Sequence, residues 1–159
     1  MIQDLIQKYN LKPHPEGGFY SETYRSEETS EFAMGNRNLS TGIYFLIPEG
    51  KFSWWHRIQS DEMWHFYLGG PLEIWEIDLQ GHFKKTILGS DFKSGESFQY
   101  LVPKGHWFGA RPCKSSQFSF VGCTVAPGFD FQDFELADEK KFLEQYPDLE
   151  KEILALKAN

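Results

Sequence analysis

Apolar side chains recur along this chain in two rhythms. Near the start, Ile2, Leu5, Ile6 and Tyr9 lie at helical spacing, and Pro13 and Pro15 end any helix that begins there. From Gly18 to about Val125 the rhythm changes to short apolar or alternating runs divided by Gly, Pro, Asn and Ser. Residues 43–47 precede Pro48-Glu49-Gly50, residues 72–77 precede Gln80-Gly81, and residues 98–102 precede Pro103-Lys104-Gly105. Residues 118–125 continue the series. Many strands and few helices predict an all-β sandwich, jelly roll or barrel. After Pro127-Gly128-Phe129 helical spacing returns at Phe142 and Leu143, then at Leu149, Ile153, Leu154 and Leu156, with a division near Pro147. Two short helices that cap the barrel are expected there. The polar stretch from Ser26 to Asn38 reads as a long mobile loop bordering a pocket mouth. One domain is expected, with the barrel over about 18–136 and a helical tail over about 137–157.

Composition sharpens this picture at two points. Aromatic residues make up 17% of the 159 residues, and such rings favour pleated, half-buried surfaces and concave binding sites. The formal charge of −7 opposes general attraction to nucleic-acid backbones or anionic lipid, so neither is expected as a partner. No apolar stretch reaches the roughly 18 residues of a membrane span, and Met1-Ile2-Gln3-Asp4-Leu5 lacks the basic start of a signal peptide. A cytoplasmic location is the expectation. Cys113 and Cys123 are too few for a disulfide framework and are expected as reduced thiols.

Most of the candidate chemistry lies between Gly50 and Gly69. Read as two strands joined by a turn at residues 59–61, the alternation puts His56 and Ile58 on one face, with Glu62, Trp64, Phe66 and Leu68 on the same side of the next strand. An imidazole and a carboxylate then project into a space walled by rings, where burial and mutual attraction shift both pKa values. His56 and Glu62 are the catalytic candidates, and they equally satisfy one another as a buried pair. Trp54, Trp55 and Trp64 serve as core packing as readily as ligand walls. His14, His65 and His82 read as structural or exposed, Gly17-Gly18 as a turn, and Asp61-Glu62 as neighbours facing opposite sides rather than a carboxylate dyad.

Gly50, His56, Glu62 and Gly69 resemble the first cupin motif, in which Gly is followed after five residues by His-x-His, after three or four more by Glu and after six more by Gly. The second cupin motif is matched only at Pro103-x-Gly105. Gly95 lies two residues too far upstream, and Phe108 and Pro112 replace its His and Asn. His14-Pro15-Glu16-Gly17-Gly18-Phe19-Tyr20, the segment from Ser60 to Tyr67 and Val125-Ala126-Pro127-Gly128-Phe129-Asp130-Phe131 are similar to signatures of the fifth cupin family, over about residues 11–137. This resemblance implies a double-stranded β-helix, a pocket between its sheets and a homodimer. It implies no common reaction.

Metal-binding cupins use three His and one Glu, and the positions that correspond here hold His56, Ile58, Glu62 and Phe108. Two protein ligands make a weak site, so no metal cofactor is favoured; if a metal is held, the set is His56, Glu62 and His106. The leading reading is a small-molecule-binding cupin, acting as a metal-independent epimerase or isomerase of a sugar or nucleotide derivative. Its pocket residues are Ile58, Trp64, Phe66 and Phe108. The alternatives are a metal-dependent oxygenase or isomerase, and a non-catalytic ligand-binding protein. The first reading predicts that purified protein carries well under one tightly bound transition metal per chain by elemental analysis. Near-stoichiometric iron, manganese, nickel or zinc surviving dialysis against chelator would instead support the metal-dependent alternative.

Overall fold

The turn residues cut the middle of the chain where the sequence pattern places them, and the strands between them form two facing sheets. The computed structural model describes residues 1–157. Helix α1 (Ile2–Lys8) leads into β1 (Lys12–Pro13), β2 (Phe19–Arg25), β3 (Thr29–Phe32), β4 (Gly35–Asn38) and β5 (Thr41–Pro48). The central segment supplies β6 (Ser53–Arg57), β7 (Asp61–Gly69), β8 (Leu72–Ile77) and β9 (Phe83–Leu88). Then come β10 (Gln99–Val102), β11 (Trp107–Pro112), β12 (Phe118–Ala126), β13 (Glu135–Leu136), α2 (Glu139–Gln145) and α3 (Glu150–Ala155).

One sheet has the order β1-β2-β5-β12-β7-β10 and the other β13-β6-β11-β8-β9. The chain changes sheet between β5 and β6, between β6 and β7, and between β7 and β8. It changes again on each step from β9 to β12. That alternation is the jelly-roll arrangement. Phe45, Ile47, Trp64, Val121 and Cys123 from one sheet meet Leu72, Ile74, Leu88, Phe108 and Ala110 from the other in a closed apolar core. The opposite side chains of β6, β8 and β11 are also apolar, and this outer face needs a cover.

The C-terminal helices provide that cover. Phe142 of α2 and Ile153 of α3, with Leu156 just beyond, pack on Trp55, Trp75, Ile77 and Trp107. The helices therefore lie along the outer face of a sheet rather than across a barrel end. The indole N–H groups of Trp54 and Trp55 donate to the carbonyls of Ala137 and Ile153, which makes both rings anchors for the tail. On the other sheet, Leu5 of α1 packs with Leu11, Leu46, Phe118 and Phe120.

Two expectations are corrected by the strand register. Residues 29–38 form a β3–β4 hairpin rather than a mobile loop, and Arg37 ties it to Asp133 through two hydrogen bonds of 2.8 Å. In β7 an irregularity opposite Phe120 and Val121 sets Phe66 against Val121 but Leu68 against Phe120. One extra residue reverses the alternation, so Leu68 turns outwards and is 44% exposed while Trp64 stays inside.

Candidate functional site

At one side of the barrel the apolar filling gives way to a cavity of about 610 Å³. Its deep wall carries His56, Ile58, Glu62 and Cys123, and its outer wall carries Tyr20, Phe129, Phe131 and Phe134. The register explains why Glu62 is there. It lies between Val102 of β10 and Val125 of β12, on the inward row that contains Thr41 of β5. His56 comes from the facing sheet, paired with Phe108, and the two rings are 4.1 Å apart between centroids.

A loop before β2 supplies the third ionisable group. His14 and Gly18 are joined by a backbone hydrogen bond, and the Trp54 amide donates to the Glu16 carbonyl at 2.7 Å, stitching the loop to β6. Gly17 has φ +113°, and a Cβ there would collide with the Phe52 carbonyl oxygen, so the tight approach requires glycine. The result aims the Glu16 carboxylate at His56. Oε2 lies 3.0 Å from His56 Nε2, while Oε1 accepts from the Ser53 hydroxyl at 2.8 Å. His56 Nδ1 in turn lies 2.7 Å from the Trp54 carbonyl oxygen.

The hydrogen bonds and the charges agree on who holds protons. Burial alone would push His56 down, but the charge and hydrogen bond of Glu16 outweigh it and hold the imidazole above its ordinary value. Burial would likewise raise Glu16, but the charge and hydrogen bond of His56, with His14 and Ser53, hold it low. His14 is pushed down by burial, with Glu16 opposing, and its Nδ1 accepts the backbone N–H of Glu16 at 3.2 Å, as a neutral ring does. Burial pushes Glu62 up to about 7, with the His56 charge working against the rise and the Glu16 charge adding to it. Cys123, buried beside Glu62, is raised well above the ordinary thiol range by burial and by the two carboxylates, and it hydrogen-bonds to Glu62. The site thus contains an ion pair and, close by, a carboxyl group that changes protonation near neutrality.

Comparison with known proteins gives this geometry a family. Residues 3–137 match the family described as Cupin superfamily (DUF985). This chain is a cupin of that family. It is similar to the structure of protein SO0799 from Shewanella oneidensis, with a TM-score of 0.89 and 42% identity over 97% of this chain and 95% of that one. A hypothetical protein from Leishmania major has a TM-score of 0.90 and 35% identity, covering 95% of each chain. The uncharacterized protein YML079W of Saccharomyces cerevisiae is 32% identical, covering 83% of this chain and 73% of the yeast protein.

Within this cupin the sequence-derived candidates fall into three places. His56, Ile58 and Glu62 share the cavity wall. Trp64, Phe66 and Phe108 do not line it; they pack in the core behind it, with Phe108 backing the His56 ring. His106 stands elsewhere, its Nδ1 2.5 Å from Glu76, whose other oxygen accepts from Tyr100 at 2.5 Å. The expected pair also has a different composition, since the carboxylate bonded to His56 belongs to Glu16 rather than Glu62. Two of the four positions that hold ligands in metal-binding cupins carry no donor here. His56 has both nitrogens engaged, Ile58 and Phe108 offer no donor, and among the described residues no group of three or more His, Cys, Asp or Glu is arranged to hold an ion. The sequence pattern singles out neither the Glu16 carboxylate nor a pocket role for His14, which reads there as structural or exposed, although His14-Pro15-Glu16-Gly17-Gly18 carried the signal: a carboxylate beside two glycines in a tight turn.

Glu62 makes the pH dependence of stability testable. Its folded value of about 7 lies above the ordinary 4.5, so the folded chain keeps a proton that the unfolded chain releases. Stability from this group is full below pH 4.5 and falls as pH rises to about 7. Glu62→Gln removes that fall. Relative to the parent, the variant is expected to gain roughly 3 kcal/mol between about pH 4.5 and pH 8, measured by urea unfolding. A stability difference that does not change with pH would contradict the assignment.

Proposed function

We propose that this cupin binds a small ring compound, a sugar or nucleotide derivative, in the cavity and isomerises or epimerises it by moving a proton, without a tightly held metal. The observation that carries the reading is the convergence of Glu16, His56 and Glu62, from three separate segments, on one cavity wall. Buried ionisable groups are costly, and their collection at a concave site is the ordinary signature of binding or proton transfer. Tyr20, Phe129, Phe131 and Phe134 offer ring faces on which a planar or pyranose ring stacks. His14 extends that aromatic wall, with its ring centroid 4.5 Å from Tyr20 and about 6 Å from Phe131 and Phe134.

Proton transfer beside a carbonyl leaves a trace that does not require the product to be known. A panel of keto and aldo sugars, sugar phosphates and nucleotide sugars, incubated with the protein in D2O, should contain at least one member whose carbon-bound proton exchanges for deuterium, read by proton NMR. Glu62→Gln is expected to slow that exchange at least about tenfold, or roughly 1.4 kcal/mol of transition-state stabilisation. Changing exposed His82 to Gln should leave it unaltered. Absence of binding and exchange across the whole panel would contradict the substrate class and the reaction.

A further inference from the structure

We infer that the two ionisable groups on the deep wall have different and fixed duties: His56 supplies a positive charge and no lone pair, while Glu62 alone takes up and returns the substrate proton. Glu16 is the positioning residue that enforces this division. The inference rests on the proton-transfer reading above and adds which atom performs the transfer and what the substrate must contain.

The case against His56 as a base is one of hydrogen-bond counting. A carbonyl oxygen can only accept, so Nδ1, 2.7 Å from the Trp54 oxygen, must carry a proton. Nε2 faces Glu16 at 3.0 Å. If the shared proton sits on nitrogen, the ring is an imidazolium; if it sits on oxygen, Nε2 spends its lone pair accepting it. Neither arrangement leaves a lone pair for a substrate. The first arrangement is favoured, because a carboxyl group is ordinarily the stronger acid by about two units and the Ser53 hydroxyl further steadies the carboxylate.

Glu62 is placed differently. Among the described residues no cation is bonded to its carboxyl group; its lateral neighbours Val102 and Val125 are apolar, and the thiol of Cys123 hydrogen-bonds to it. The groups that face it are His56 from β6, Glu16 from the loop before β2 and Cys123 from β12. It therefore gains and loses a proton without breaking an ion pair.

The chemistry this permits is proton abstraction from a carbon next to a carbonyl. The Glu62 carboxylate takes the proton, the C–H electron pair becomes the C=C bond of an enolate, and the carbonyl π pair moves onto oxygen. The nearby imidazolium charge stabilises that oxygen. The Glu62 acid then delivers the proton to the former carbonyl carbon, while the hydroxyl on the carbon that lost it passes its proton to the enolate oxygen and becomes the new C=O, so atoms and electrons balance without an oxidant or reductant. The ligand class is thus a carbonyl compound with an ionisable C–H bond beside the carbonyl, such as a keto sugar.

Nuclear magnetic resonance of the ligand-free protein tests the assignment separately from the reaction. In protein labelled with 15N, long-range proton–nitrogen spectra at about pH 7 are expected to show both ring nitrogens of His56 in protonated form, with the ring titrating above the ordinary histidine value of about 6.5. The resonance is assigned by its loss in His56→Gln. If that variant does not fold, it is assigned by elimination with Gln variants of the other four histidines. Glu16→Gln should lower the His56 titration by at least about one unit, a change that a merely structural loop residue would not produce. The carboxyl carbon of Glu62 should titrate near 7. A His56 ring with one unprotonated nitrogen and no response to Glu16→Gln would overturn the inference, as would a Glu62 carboxyl fully ionised at pH 5. Deuterium exchange that survives Glu62→Gln would also overturn it while leaving the isomerase reading intact. Failure of exchange with every substrate, alongside the expected spectra, would remove the isomerase reading and this duty of Glu62 but keep the charge on His56.

Discussion

A carboxylate and an imidazolium 3.0 Å apart in the interior of a β-barrel have to be held there by the rest of the fold. Taking two charges out of water costs several kcal/mol each, and their attraction repays this only when the remaining polar atoms are also satisfied. In this protein they are. Ser53 serves the second oxygen of Glu16, the Trp54 carbonyl serves the second nitrogen of His56, and Phe108 backs the imidazole. Each of these partners depends on a larger element. The Trp54 backbone is fixed because its indole is locked to the tail at Ala137, and the Glu16 loop is fixed because Gly17 lets it lie against β6. The segment between β13 and α2 thus steadies the Trp54 carbonyl that serves His56 without itself lining the cavity.

The cavity follows from the same constraint. Along the barrel interior, large apolar residues fill the space beside Trp64 and Phe108, and the cavity opens beyond them, with the smaller Ile58, Val125 and Thr41 in its wall. Burial carries Glu62 up to about 7 against the pull of the His56 charge, while Glu16, bonded directly to His56, stays low. Two carboxyl groups on one wall are thereby shifted by their neighbours to opposite sides of the ordinary carboxyl value, which is how sites that move protons near neutrality are built. The mouth is organised by ordinary polar contacts. Arg25 joins Glu22, Asn38 and the Phe129 carbonyl, drawing β2, β4 and the segment after β12 together around the opening.

Much of the architecture was legible in the chain because it depends on local signals. Turn residues divide short strands, and period-two alternation carries His56, Ile58, Glu62 and Trp64 to the interior side. The misreadings occur where one residue changes the phase or where a partner is distant in sequence. The irregularity at Phe66–Leu68 turned Leu68 outwards, and residues 29–38 became a hairpin whose anchor, Asp133, lies 96 positions from Arg37. Trp64 and Phe66 were expected as pocket walls because parity directs them inwards, but parity does not tell a filled part of a barrel from an empty one. Glu16 was passed over because its role exists only once β6 and the preceding loop are side by side. The ring wall of Phe129, Phe131 and Phe134 lies between β12 and β13, in loop and a single 3-10 turn over Phe131–Asp133, too short for periodicity to read.

The dependence of the site on the Glu16–His56 pair is measured most directly by a double-mutant cycle on folding stability at about pH 7. The parent, Glu16→Gln, His56→Gln and the double variant would be unfolded in urea. Removing either partner leaves the other buried and uncompensated, so each single change should cost about 3–5 kcal/mol. The double variant, which leaves no orphaned charge, should cost about 2 kcal/mol less than the sum of the two. Small single effects that add within about 0.5 kcal/mol would show that the two residues do not form the ion pair on which the site is built.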